Sequence, residues 1–187
     1  MKVLVACEYS GKVRDAFLAR GHDAYSCDLL PADDGKTERH YRGDMFDIVN
    51  SGNYDLVIMH PPCTALAVSG NRWYSDSPER ETSLDFVRKC MAIDCGKWAI
   101  ENPVGVISSA IRKPDQYIQP WQFGHGETKK TGLWLHGLPA LVPTDIVAGR
   151  EQRIWKMGPS VDRWKLRSET YQGIADAMAE QWGGLCK

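Results

Sequence analysis

Two short apolar runs stand out against a mixed background, Lys2 to Cys7 and Asp55 to Met59, both rich in Val, Leu or Ile and each cut off by a turn signal. Runs of that length without polar alternation predict strands buried on both faces, as a parallel sheet requires. Between them the period lengthens. Val13, Ala16, Phe17 and Ala19 lie at helical spacing from Lys12 to Arg20, and Gly21 follows where a helix-ending glycine belongs. His22 to Leu29 predicts a second strand that reaches an acid at Asp28. Leu84, Phe86, Val87 and Cys90 predict a helix over Ser83 to Cys90, and Trp98 to Ile100 a strand running into Glu101-Asn102-Pro103. Strand and helix in alternation predict an α/β fold of the Rossmann-like kind, a mostly parallel sheet with helices on both faces.

In such a sheet, ligands bind beyond the carboxyl ends of the strands. The first of those ends is Glu8-Tyr9-Ser10-Gly11, a turn whose Ser10 and Gly11 let a ligand approach backbone amides. Asp28 is suited to accept hydrogen bonds from ribose hydroxyls. The G-x-G-x-x-G fingerprint of dinucleotide sites is absent, since Gly11 stands alone, and adenosine-type ligands such as S-adenosylmethionine stay open. Asp44, in Gly43-Asp44-Met45, suits either an adenine amino group or a helix N-cap.

The strand at Asp55 to Met59 runs straight into His60-Pro61-Pro62-Cys63-Thr64, where two prolines prevent its continuation and project Cys63 at the carboxyl edge. Pro103 does the same for Glu101. A cysteine and a carboxylic acid on neighbouring strand ends suit covalent chemistry on a nucleobase. The thiolate adds to C6 of a pyrimidine while the acid holds and protonates the ring nitrogen, and C5 becomes nucleophilic enough to take a methyl group.

Composition narrows the setting. At 187 residues, 43% hydrophobic and 25% charged, the chain has the length and mixture of one soluble domain. Its apolar runs are far shorter than the ~20 residues of a membrane span, and one Lys before a short apolar run reads as a strand, not a signal peptide. Six cysteines without C-x-x-C pairing read as reduced cytosolic thiols, mostly small core residues. Cys90, Cys95, His125 and His136 match no standard zinc spacing, so no metal is expected. The net charge of −1 is unevenly spread, with ten Lys and Arg against five acids over residues 112–167. That segment also carries Trp121, Trp134, Trp155 and Trp164. Cations for phosphates, with aromatics to stack on or replace an extruded base, would suit DNA. A solvated basic face over packed tryptophans is the competing reading.

These residues resemble the DNA cytosine-C5 methyltransferase family. Asp55 to Gly70, DLVIMHPPCTALAVSG, is similar to that family's nucleophile motif, and IENP at Ile100 to Pro103 to its glutamate-asparagine-valine motif, with Pro103 replacing the valine. Gly43-Asp44-Met45 resembles its motif at the cofactor adenine. The resemblance implies Cys63 as nucleophile and Glu101 as the base-binding acid, with Pro62 and Asn102 beside them. It implies S-adenosylmethionine as cofactor, contacted by Tyr9, Ser10, Gly11, Asp28, Leu29, Asp44, Met45, Pro61 and Leu84. The stretch from Lys129 to Leu135 is similar to a lysine-threonine-x-x-tryptophan pattern of phage-type members. The more usual glutamine-arginine-x-arginine motif is absent, so Lys129 or Lys130 is the candidate in its place; a β-hairpin with Trp134 in its core and both lysines in solvent is the alternative. Two further departures are Glu8, where the first motif has a small residue, and Ala175-Asp176 in TYQGIADAMAEQW, where the last has glycine-asparagine.

The resemblance thus implies a short, phage-type enzyme acting on DNA in the cytoplasm of a bacterium or a phage-infected host, away from membranes. Three segments are expected within one compact domain: a cofactor-binding and catalytic core over 1–111, a basic, DNA-contacting insertion over 112–167, and a C-terminal helix over 168–187 returning to the core. About fifty residues stand where the family usually has a full target-recognition domain, which leaves three alternatives. One is the same chemistry on a free pyrimidine nucleotide, one a second subunit that supplies sequence recognition, and one a degenerate fold that only binds DNA or a partner.

Overall fold

A strand covered on both faces must be apolar at every position, and the chain meets that demand by sending alternate residues into two separate cores. Val3 and Val5 face one core with Leu56 and Ile58, closed by Val13, Ala16 and Phe17 and by Ile174, Met178 and Trp182. Leu4 and Ala6 face the other with Val57 and Met59, closed by Met45, Val49, Leu84, Val87 and Cys90. The computed structural model that reveals this describes residues 1–158, 160–161 and 163–185.

Along the chain, β1 (Lys2–Ala6) leads through α1 (Lys12–Leu18) to β2 (Asp23–Asp28), then to β3 (His40–Arg42), α2 (Met45–Ser51) and β4 (Leu56–Met59). The helices α3 (Asn71–Tyr74) and α4 (Pro78–Met91) precede β5 (Trp98–Pro103), and α5 (Ile107–Ala110) precedes β6 (Gln116–Ile118) and β7 (Thr131–His136). The chain goes on through α6 (Arg153–Lys156) and α7 (Arg163–Ser168) to α8 (Gln172–Gly183). The seven strands form one sheet in the order β3-β2-β1-β4-β5-β7-β6. β1 to β5 are mutually parallel, and only β7 is reversed, pairing antiparallel with β5 and β6. β1 lies between β2 and β4, so the crossovers diverge there and leave a crevice at its carboxyl end.

The helix predicted over Ser83 to Cys90 begins a turn and a half earlier. Ser77 caps it by accepting from the Arg80 amide at 3.3 Å, and Pro78 takes a first-turn position where its missing N–H costs nothing. Its opening turn is polar throughout, so the apolar period starts only at Leu84. Among the described residues, no helix is long and apolar enough to cross a membrane.

β6 and β7 are strands of the central sheet, and Trp134, 1% exposed, is core, with its indole N–H donating to the Arg112 carbonyl at 2.8 Å. Trp134 therefore cannot meet a nucleic acid. Several cations of 112–167 already have partners: Arg112 pairs with Asp115, Arg153 with Glu127, and Lys165 with Asp33. Trp155 and Trp164 stay outward, 76% and 56% exposed. Cys27 and Cys90 are buried thiols, Cys7, Cys63 and Cys95 are half-buried and free, and Cys186 lies outside the described residues.

Trp182 ties α8 to the sheet through full burial and a 3.0 Å hydrogen bond from its indole to the Pro139 carbonyl. Trp182→Ala should cost about 3–5 kcal/mol of unfolding free energy in urea denaturation. A loss below about 1 kcal/mol would mean that α8 is not part of the cooperative unit.

Candidate active site

The parallel register pairs Met59 of β4 with Ile100 of β5, so His60 and Glu101 leave the two strands side by side. Pro61 and Pro62 then turn the chain, and the Leu66 and Ala67 amides donate back to the Cys63 carbonyl at 3.0 and 2.8 Å, closing a tight loop around the cysteine. This loop is fastened to the one that follows Glu101. The Val68 amide donates to the Val104 carbonyl and the Val106 amide to the Leu66 carbonyl, flanking a bridge between Ala67 and Gly105. A Cβ on Gly105 would run into the Leu66 carbonyl, so the approach needs glycine. Asn102 adds a further tie, its side-chain N–H donating to the Pro61 carbonyl at 2.8 Å. Asn102 therefore positions the cysteine loop in addition to lining the cleft.

One cleft gathers Cys63, Glu101, Asn102, His60, Pro61 and Pro62 with Glu8, Tyr9 and Ser10 from the end of β1. Because β7 runs against β5, its beginning rather than its end lies at this edge, and Lys129 reaches the same cleft. Lys130 points away, its ammonium 4.3 Å from the Tyr117 ring. The end of α7 and the two residues after it form the remaining wall: Arg167, Ser168, Glu169 and Thr170 line the cleft, and the Tyr9 and Ser168 hydroxyls are 3.0 Å apart. The last-motif residues do otherwise. Ala175 is fully buried in the core, and Asp176 faces Arg20 at 3.5 Å.

Burial and the Glu101 charge push the Cys63 thiol up, while Lys129 and Arg167 pull it down without fully compensating. Glu101 behaves in the opposite sense. Burial acts to raise it, but a 3.0 Å hydrogen bond from His60, the Lys129 charge and Thr131 leave it below the usual carboxylate range. The cleft thus combines a protonated thiol with an ionised, hydrogen-bonded carboxylate.

A second, more apolar recess adjoins the first and shares Cys7 and Pro62 with it. Asp28, Leu29, Asp44, Met45 and Phe86 line it. Asp44 also caps α2, accepting from the Phe46 amide at 2.8 Å, so both roles open to it coexist in one residue. Two carboxylates against apolar walls fit the hydroxyls, amine and ring of an adenosine group. Leu84 packs in the core beneath, 4% exposed, and Phe86, two residues on, lines the recess. Gly11 lines neither recess. Its φ of 72° starts α1, and a Cβ there would strike the Arg14 guanidinium, which is buried and paired with Asp15 and Asp34.

Glu8 is buried, and its carboxylate accepts from the Val13 and Arg14 amides at 2.7 and 3.3 Å. It fills the start of α1 from within. The turn depends on Cys7 adopting φ 57°, a left-handed conformation uncommon outside glycine. Among the described residues no group of three or more His, Cys, Asp or Glu side chains is placed to hold a metal ion.

The sequence matches no family model and no curated protein. Its structure does have counterparts. A protein described as a DNA modification methyltransferase encoded within an E. coli prophage matches with a TM-score of 0.56 at 15% identity, over 86% of this chain and 56% of that one. The chain has a methyltransferase fold. The Entamoeba histolytica methyltransferase EhMeth matches at TM-score 0.56 and 14% identity, over 79% of this chain and 57% of its own. The S. pombe Dnmt2 methyltransferase matches at 0.51 and 14%, over 85% and 56%. The chain spans a little over half the length of each of these proteins.

The electrostatics of the cleft can be tested directly. Removing a cation beside a thiol raises its pKa and lowers its thiolate fraction. In Lys129→Met, iodoacetamide alkylation of Cys63, followed by peptide mass spectrometry, should shift its pH midpoint upward and slow at least roughly threefold at neutral pH. Alkylation at the wild-type rate would contradict the placement of Lys129 beside the thiol.

Proposed function

We propose that the protein is an S-adenosylmethionine-dependent methyltransferase that acts on C5 of cytosine in DNA, with Cys63 as a covalent nucleophile and Glu101 as the residue that holds the base. The observation that carries this reading is the convergence of Cys63 and Glu101 in one cleft, with an adenosine-sized recess opening beside it. The recess suits the cofactor: Asp28 for the ribose hydroxyls, Asp44 for the adenine amine, and Leu29, Met45 and Phe86 as apolar walls. When bound, the cofactor supplies an electrophilic methyl group.

The chain's own residues do the rest. Cys63 gives its proton to solvent water, and Sγ bonds to C6 of the base as the C5–C6 π bond opens and its electron pair moves into the ring. Glu101 accepts from the exocyclic amine and steadies the charge that develops on the ring as the adduct forms. C5 then takes the methyl group and gives its proton to solvent water, and the C5–C6 double bond re-forms as Sγ leaves with the electron pair of its bond to C6. Lys129 and Arg167, which lower the cost of the thiolate, favour the first of these steps. Thr64 to Gly70 and the wall made by α7 would have to admit a base extruded from its stack. The outward Trp155 and Trp164, and the name carried by the prophage neighbour, support DNA as substrate.

Mass spectrometry of nucleosides from DNA of cells expressing the protein should reveal 5-methylcytosine that disappears with Cys63→Ser. Persistence of the mark in that variant would rule out the covalent route. A second reading, a fold that binds DNA or a partner without methyl transfer, is favoured by Glu8, whose carboxylate occupies amides at the start of α1. Calorimetry separates the two. Micromolar binding of S-adenosylmethionine, weakened by Asp28→Ala, is the outcome expected of the enzyme, and no binding to the wild-type protein that of the degenerate fold.

A further inference from the structure

The scheme above uses Cys63 and Glu101 but leaves idle a histidine in the same cleft. His60 is the first residue beyond β4, and the strand register sets it between two acids. Its amide donates to the Ala6 carbonyl at 3.0 Å, so on one side it adjoins the end of β1, where Cys7 and Glu8 follow. On the other it adjoins Glu101, and its Nδ1 lies 3.0 Å from Glu101 Oε2. Both side chains are nearly closed to solvent, 10% and 12% exposed. The second ring nitrogen, Nε2, is buried and has no hydrogen-bond partner among the described residues, although the ring lines the cleft.

We propose that His60 is the positioning residue of the site, whose Nδ1–H holds one oxygen of Glu101 and turns the other toward the substrate base. The role rests on the reading of Glu101 as the residue that holds the base. A carboxylate can rotate about its last torsion and present either oxygen; a fixed donor on Oε2 removes that freedom at a buried position where an unpaired oxygen would be costly. The orientation has a chemical consequence. An ionised Glu101 with Oε2 taken offers only an acceptor, which matches the exocyclic amine of cytosine and not the carbonyl oxygen that thymine and uracil carry at the same ring position.

The charges around the pair agree with this arrangement. Glu101 faces His60 from β4, Lys129 and Thr131 from the β7 side, and the Cys63 thiol from the loop between, and the net effect is to hold it ionised. Glu8, on the β1 side of His60, is pushed the other way by burial, against the pull of His60 and of the α1 amides. Two buried carboxylates on either side of one imidazole are thus driven apart, as acid–base sites commonly arrange.

The test compares wild type with His60→Ala and His60→Asn, the latter placing an amide N–H where Nδ1–H stood. Two readouts are used: the carbon-13 titration of the Glu101 carboxylate, assigned by its loss in Glu101→Gln, and methyl transfer to duplex DNA. In His60→Ala the Glu101 titration should move up by about one pH unit, and kcat should fall about a hundredfold with the cofactor KM unchanged. His60→Asn should return both most of the way, and it serves as the working comparison if the alanine variant does not fold. A Glu101 titration that is the same in all three proteins overturns the inference, as does an asparagine variant that restores neither readout. Wild-type protein that transfers no methyl group while its Glu101 titration still depends on His60 would leave the pairing standing and refute the proposed reaction.

Discussion

Everything in the cleft hangs on the pairing of β4 with β5. Met59 opposite Ile100 fixes a register in which His60, the first residue past β4, stands level with Glu101 on β5. A slip of one residue would turn each side chain to the opposite face of the sheet and separate the two. The apolar runs on both strands, buried on both faces, make such a slip expensive, and the bridge between Ala67 and Gly105 holds the loops together beyond the last ladder bond. The core thus sets the geometry of the chemistry without contributing an atom to it.

The reversal of β7 has an equal and less visible effect. In a wholly parallel sheet, the strand beside β5 would present its end at this edge. Because β7 is antiparallel, it presents Lys129 and Thr131, a cation and a hydroxyl, to the acid and the thiol of the two strands before it. The cleft is consequently electrostatically divided, with the carboxylate held down and the thiol held up. Energy for desolvating both groups has already been spent in folding, which is how buried sites prepare charge for a reaction.

Much of this arrangement was legible in the chain, and the gaps have physical causes. Proline after each apolar run marks the strand ends, so Cys63 and Glu101 could be assigned to one edge from sequence. Asp28 follows as the acid that ends the second strand, and Asp44 from the Gly43-Asp44-Met45 turn, which suits an adenine amine or a helix N-cap. Leu84 and Phe86, two residues apart, point to different sides of α4, and only the packed helix shows that Leu84 meets the core with Val87 and Cys90 while Phe86 meets the recess. Lys129 depended on the direction of β7, which no local pattern carries. The three-residue strands β3 and β6 have no apolar run to betray them. Glu8 was visible as an oddity, but its role as an internal cap required the turn at Cys7 to be seen. His60 lay in plain view inside the proline motif; a histidine before two prolines signals nothing until the register puts an acid on either side.

The central claim is that Cys63 bonds to the base while Glu101 holds it, and a trapped adduct tests that most directly. A duplex carrying 5-fluorocytosine presents a C5 that has no proton to lose after methyl transfer, so the Sγ–C6 bond cannot be released. Incubated with S-adenosylmethionine, the protein should become linked to this DNA in a form stable to denaturing electrophoresis. Peptide mass spectrometry should then place the link on Cys63. Methylation of ordinary cytosine by the same preparation, with no adduct on the fluorinated duplex or with the adduct on another cysteine, would contradict the account.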